Sequence, residues 1–152
     1  MEKIYYRISQ FSKILIYAIY RLKSVFKSRK VVSETDYKNL NIMFKYFLKK
    51  YPYNTNLSFL LFYAEIRRAK KIRTCDMPDD IVKMDSVVTF KNMQTDENLT
   101  IQLVFPNGEQ LNTLKLSVFS AVGMALFAQK SGRTVSCFEA KRKIHLKILS
   151  IV

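Results

Sequence analysis

Residues 77–90 read MPDDIVKMDSVVTF, and the chain changes its physical grammar inside them. Proline at 78 disfavours helix for the residue before it, so Met77-Pro78 marks the exit from a helical region. Asp79 and Asp80 stand where the chain turns into a sheet. From Ser86 onward the pattern alternates, Val87 and Thr89 on one face, Val88 and Phe90 on the other. Alternation of β-branched and aromatic residues with a period of two is the mark of a half-buried strand.

Working toward the C-terminus, LTIQLVF, RTVSCFE and KIHLKILSI repeat this character, and the turn-rich stretches NMQTDEN, PNGE and KSGR separate them. In the last strand Ile144, Leu146 and Ile148 share one face, while His145 and Lys147 share the other. His145 therefore reads as a solvated strand residue rather than a catalyst. AVGMALFAQK at 121–130 breaks the alternation and is long enough for a short helix. An antiparallel sheet with one helix against it accounts for this half and makes the chain α+β.

Working toward the N-terminus, the period becomes helical. Leu40, Phe44, Phe47, Leu48 and Tyr51 form one apolar stripe, which Pro52 ends. Ser33, Thr35 and Asp36 are the candidates for starting that helix. Asn54, Thr55 or Asn56 starts a second helix, whose face is Leu57, Leu60, Leu61 and Ala64, thickened by Phe59, Phe62, Tyr63 and Ile66. Arg67, Arg68, Lys70, Lys71 and Arg73 form its basic end, favourable near a helix C-terminus. Two such helices of about 15 residues, each about 22 Å long, make an antiparallel hairpin. Its tip reads Lys49, Lys50, Tyr51, Pro52, Tyr53, Asn54 and holds no carboxylate. Further upstream, Ile4, Ile8, Phe11, Leu15, Ala18, Leu22 and Val25 form another helical stripe. Packing on the rest of the chain or self-association fits that stripe better than lying on a membrane surface. The expected organisation is a basic amphipathic extension over 1–32, a helical hairpin over 33–75 and a sheet domain over 76–152.

Charge follows the same division. The chain of 152 residues has a net charge of +14. Residues 1–30 contribute +7, residues 31–75 contribute +6, and residues 76–152 only +1. This polarity suits an acidic partner for the first half: a nucleic acid, an anionic membrane or an acidic protein surface. Cys75 and Cys137 have no metal-ligand spacing, and with His145 as the single histidine no metal site and no cofactor is expected. The longest apolar run, ILIYAIY at 14–20, is far short of the ~20 residues a bilayer span needs. A cytoplasmic protein with reduced thiols is expected.

MPDDIVKMDSVVTF, together with LVFPNGE (103–109) and LSVFSAVGMALFAQKSGRTV (116–135), resembles the C-terminal domain of the Gre transcript-cleavage factors, the GreA/GreB transcription elongation factor family. In layout the chain is most similar to the Rnk branch, the regulators of nucleoside diphosphate kinase, from Asp36 onward. Residues 1–32 have no counterpart in that pattern. The departures lie in turns: Ser120-Ala121 replaces a Ser-Pro, Gly132-Arg133 replaces a Gly-Asp, and EAKRK (139–143) replaces a Pro-x-Gly turn. The resemblance implies an FKBP-like fold that docks on the rim of the RNA polymerase secondary channel. It also implies a hairpin pointing into that channel, and it places Phe119, Ser120 and Ala121 in the rim-contacting loop.

Cleavage factors of this family hold a second magnesium ion with two acids at the hairpin tip. A hard cation wants oxygen ligands, and two-metal phosphoryl chemistry needs both ions in place. Here the lysine pair would repel the ion, and the nearest acids, Asp36 and Glu65, lie well down the two helices. The expectation is a non-catalytic polymerase-binding regulator that competes with cleavage factors without stimulating cleavage. Direct nucleic-acid or membrane-surface binding through the basic first half is the alternative. A prolyl isomerase pocket lined by Phe90, Phe105, Phe119, Phe127 and Phe138 is the weakest of the three readings, since such rings more often make a core.

Overall fold

The computed structural model describes residues 29–51, 56–106 and 114–152. The stripe from Ile4 to Val25, and with it the self-association and membrane readings of residues 1–30, lies outside them. So do Pro52, Tyr53, Asn54 and Thr55.

The chain enters through a short strand, β1 (Val31–Ser33), that runs straight into helix α1 (Glu34–Lys50). Ser33 is the cap: its backbone is extended and its hydroxyl accepts the Asp36 N–H at 3.0 Å. The Thr35 hydroxyl meets that of Thr74 instead, at 2.9 Å. Glu34 and Asp36 in the first turn and Lys49 and Lys50 in the last both suit the helix dipole. With 17 residues, α1 is about 25 Å long. Helix α2 (Leu57–Arg68) has 12 residues and is about 18 Å long. Of its three candidate caps it uses Asn56, whose side-chain oxygen accepts the Phe59 N–H at 2.8 Å.

Strand β2 (Lys70–Ile72) follows and pairs in parallel with β1, and a 3-10 turn (Thr74–Asp76) leads into the sheet domain. That domain has strands β3 (Val87–Asn92), β4 (Asn98–Val104) and β5 (Lys115–Ser117), then helix α3 (Ala121–Leu126), then β6 (Thr134–Glu139) and β7 (Arg142–Ile151). The strand order is β5-β4-β3-β7-β6. Val88, Phe90, Leu103, Leu146, Ile148 and Cys137 line the inner face and are buried. Helix α3 covers them with Met124, Ala125 and Leu126, and Phe127 follows with no exposed surface. Gly123 permits this close approach: a Cβ there would lie 2.1 Å from the Ser117 carbonyl oxygen.

Three expectations need correction. The sheet is antiparallel over β6, β7, β3 and β4, but β5 joins β4 in parallel. A parallel neighbour needs a crossover in place of a tight turn, and a three-residue strand shows no period that betrays its direction. Lys70 and Lys71 do not belong to the basic end of α2. The helix stops at Arg68, and the two lysines lie in β2, where β1 supplies backbone partners that a helix end lacks. The buried face of α2 is Phe59, Leu61, Phe62, Glu65 and Ile66, so of the expected stripe only Leu61 is buried. Leu57 and Leu60 remain 37% and 42% exposed. Phenylalanine removes more apolar area from water than leucine, so the helix turns its Phe59–Phe62–Ile66 arc inward.

Candidate functional site

The hairpin is the element whose two ends differ most. At its base, helices and sheet domain lock together through polar contacts. Lys30 Nζ lies 3.0 Å from Glu65 Oε2 and donates to the Phe127 carbonyl at 3.2 Å. It also sits 5.6 Å from the centre of the Phe62 ring. One part-buried ammonium thus ties the incoming chain to α2 and to the turn after α3. Asp36 Oδ2 accepts the Met84 N–H at 3.3 Å and so fastens α1 to the start of the sheet. Burial pushes the Asp36 carboxyl above the usual carboxylate range, and Asp85 adds to that; the Met84 N–H, the Ser33 hydroxyl and Lys83 act the other way.

From this base a chain of ring contacts runs up the hairpin. Phe127 meets Phe62 at 6.1 Å and Phe62 meets Phe44 at 5.5 Å. Phe44 meets Phe59 at 5.2 Å and Phe119 at 5.0 Å. Phe47 lies 5.3 Å from Phe119 and 5.9 Å from Tyr51, which begins the tip. Edge-to-face and tilted pairs of this kind add to the effect of burial itself. The helices therefore stand on the sheet domain with Phe119 as their footing.

At the far end, Lys49 and Lys50 are exposed and Tyr51 is 43% exposed. Lys50 Nζ donates to the Tyr46 hydroxyl at 3.0 Å and lies 5.3 Å and 5.4 Å from the Tyr46 and Tyr51 ring centres. The Tyr46 hydroxyl first, and then that of Tyr51, push the Lys50 pKa up. Tyr53, Asn54 and Pro52 lie outside the described residues, and the sequence of 52–55 adds no acid. Asp36 sits in the first turn of α1 and bonds Met84; Glu65 is buried beside Lys30. Neither carboxylate of the hairpin's core turns toward its tip. Among the described residues no group of three His, Cys, Asp or Glu could hold a metal ion, and no helix is long and apolar enough to cross a membrane.

The three loop residues singled out from the sequence fall at the start of α3. Phe119 packs into the hairpin cluster, and Ser120 caps α3: its hydroxyl accepts the Gly123 N–H at 3.0 Å and donates to the Ser117 carbonyl at 2.7 Å. Ala121 is half-buried. Of the rings proposed for an isomerase pocket, Phe90 and Phe127 are core, Phe105 and Phe119 are half-buried and packed against that core, and Phe138 is exposed on the opposite sheet face from Cys137. The role of Lys30 was not legible from the sequence, because its partners Glu65 and Phe127 are 35 and 97 residues away.

Comparison with known proteins agrees with this architecture. The family described as "Transcription elongation factor, GreA/GreB, C-term" matches residues 77–152, half of the chain. The regulator of nucleoside diphosphate kinase from Escherichia coli K12 is 35% identical over 72 residues, 47% of this chain and 53% of that protein. Transcription elongation factor GreA from Syntrophomonas wolfei is 29% identical over 86 residues, 57% of this chain and 54% of that protein. The matches thus span about half the length of these curated relatives, whose names describe a regulator and an elongation factor. Among solved structures, a GreA/GreB elongation factor from Nitrosomonas europaea superposes with a TM-score of 0.67 at 21% identity, over 83% of this chain and 99% of that one. At that identity the likeness establishes the fold.

Proposed function

Because this chain belongs to the GreA/GreB C-terminal family through residues 77–152, we propose that it is a non-catalytic, RNA-polymerase-binding transcription regulator. It docks at the rim of the secondary channel and competes with cleavage factors there without stimulating transcript cleavage. The observation that supports this reading is the carboxylate-free tip. A factor that adds a magnesium ion to the polymerase centre must bring oxygen ligands to the end of its hairpin. This tip brings Lys49, and Lys50 lying beside the Tyr46 and Tyr51 rings. Its cations suit an acidic channel lining instead.

The rim contact falls on the turn that begins α3. Phe119 and the Ser120 hydroxyl are already used inside the molecule, so Ala121 and the backbone beside it face the polymerase. The protein acts in the cytoplasm, where the polymerase is. Immobilised full chain should retain core RNA polymerase at micromolar concentration and low salt, and a cleavage factor should displace it. Absence of any retention under those conditions overturns the proposal.

A further inference from the structure

We propose that residues 18–28 of the chain's own N-terminal segment dock along the outer side of α2, adding a third element to the hairpin. α2 is apolar on two sides. Phe59, Phe62 and Ile66 turn toward the core. Leu57, Leu60, Leu61 and Ala64 lie on the other side. A helix that is apolar all round needs cover on both sides. With 3.6 residues per turn, Leu61 stands about 160° around the helix from Phe59 and about 140° from Ile66. It is nonetheless only 6% exposed, and among the described residues it does not belong to the core cluster that Phe59, Phe62 and Ile66 join. A second body of chain therefore covers it.

Lys30 identifies that body. Glu65 follows Leu61 by four residues and so lies one turn along the same side. The Lys30 ammonium meets the Glu65 carboxylate at 3.0 Å. Leu57, Leu61, Glu65 and Arg68 thus mark one seam along α2, and the chain that reaches Lys30 arrives on it. From Val31 onward β1 carries the chain away into α1, so the stretch left to cover Leu61 is the one that precedes Lys30.

That stretch fits the seam in length and in chemistry. Ala18, Leu22 and Val25 recur at steps of four and three. Lys30 and Leu22 are eight residues apart, as are Glu65 and Leu57, about 12 Å at the helical rise. Leu22 and Val25 therefore come level with Leu57 and Leu61, and Ala18 comes level with the tip. Ile4 and Ile8 run past the end of α2 and take no part. Lys23 and Lys27 lie off the stripe, so the two basic parts of the chain meet through apolar residues. A second copy could offer the same stripe, but the tether at Lys30 gives the chain's own segment an effective concentration that a separate molecule lacks.

The test uses the full chain in a Cys75→Ser background carrying Leu22→Cys and Leu57→Cys. A short bismaleimide is added at micromolar protein, and mass spectrometry identifies the joined peptides. A one-chain product linking the two introduced cysteines is expected, and Ile4→Cys in place of Leu22→Cys should lower its yield about tenfold. Independently, Leu22→Asp with Val25→Asp should speed amide hydrogen exchange in α2 about tenfold relative to β3 and β7, whereas Ile4→Asp with Ile8→Asp should leave it within about twofold. Two-chain products in place of the one-chain product overturn the proposal and assign the seam to a second copy. Equal linking from position 4, or exchange in α2 that the Leu22 and Val25 substitutions leave unchanged, also overturns it. None of these measurements involves polymerase, so their failure leaves the polymerase reading standing.

Discussion

The base and the tip of the hairpin are built from the same two helices and differ in what surrounds their charges. At the base, part-buried Lys30 meets buried Glu65, Asp36 holds a backbone N–H of the sheet domain, and Phe44 is enclosed by rings from α2 and from the turn before α3. At the tip, Lys49 and Lys50 stand in water with Tyr46 and Tyr51 alongside. The base uses charge to fix the angle of the hairpin on its domain; the tip presents charge outward. Stability belongs to the first region, and the proposed function assigns partner contact to the second; substitutions can separate the two.

The sharpest separation comes from Phe44. Phe44→Ala removes a fully buried ring and should cost about 3–5 kcal/mol in denaturant unfolding. Lys49→Ala at the tip should stay within about 0.5 kcal/mol. Similar losses for the two would abolish the contrast. Lys30→Ala comes next: stripping the cation from a buried carboxylate should cost about 3 kcal/mol. The hairpin should loosen before the sheet domain, seen as faster hydrogen exchange in α1 and α2 than in β3 and β7. Loss confined to the sheet domain would mean that Lys30 does not tie the hairpin down.

Asp36 gives a smaller effect with a definite sign. Its folded pKa is raised, so its contribution to stability is complete below the unfolded value of about 3.9 and is lost as pH rises through the folded value. Asp36→Asn cannot ionise and keeps an acceptor for the Met84 N–H. The Tm of the variant relative to the parent should therefore be higher at pH 7 than at pH 3. The opposite trend would show that the Met84 and Ser33 hydrogen bonds outweigh burial.

Much of this molecule could be read from residues. The alternation in 86–90 and 144–148 gave strands β3 and β7. The Leu40–Phe44–Phe47 stripe gave α1, and the missing acids at 49–54 were visible at once. What could not be read was relative placement. The choice between the leucine arc and the phenylalanine arc of α2 depends on Phe44 and Phe119, which are distant in sequence. β1 and β2 are three residues each and exist only through each other. The pairing of β3 with β7 shifts register by a bulge between Thr89 and Phe90, which no local pattern announces. The loop at 119–121 was legible as a turn but not as the footing of the hairpin, because a ring's partner is set by packing.

The central claim is that this hairpin meets RNA polymerase without delivering a metal ion to it. A backtracked elongation complex with 3′-labelled transcript, incubated with excess full chain and then with a cleavage factor, tests it most directly. The account predicts no release of 3′ fragments with the chain alone and slower release when the cleavage factor follows. Fragment release by the chain alone, dependent on magnesium, would contradict it.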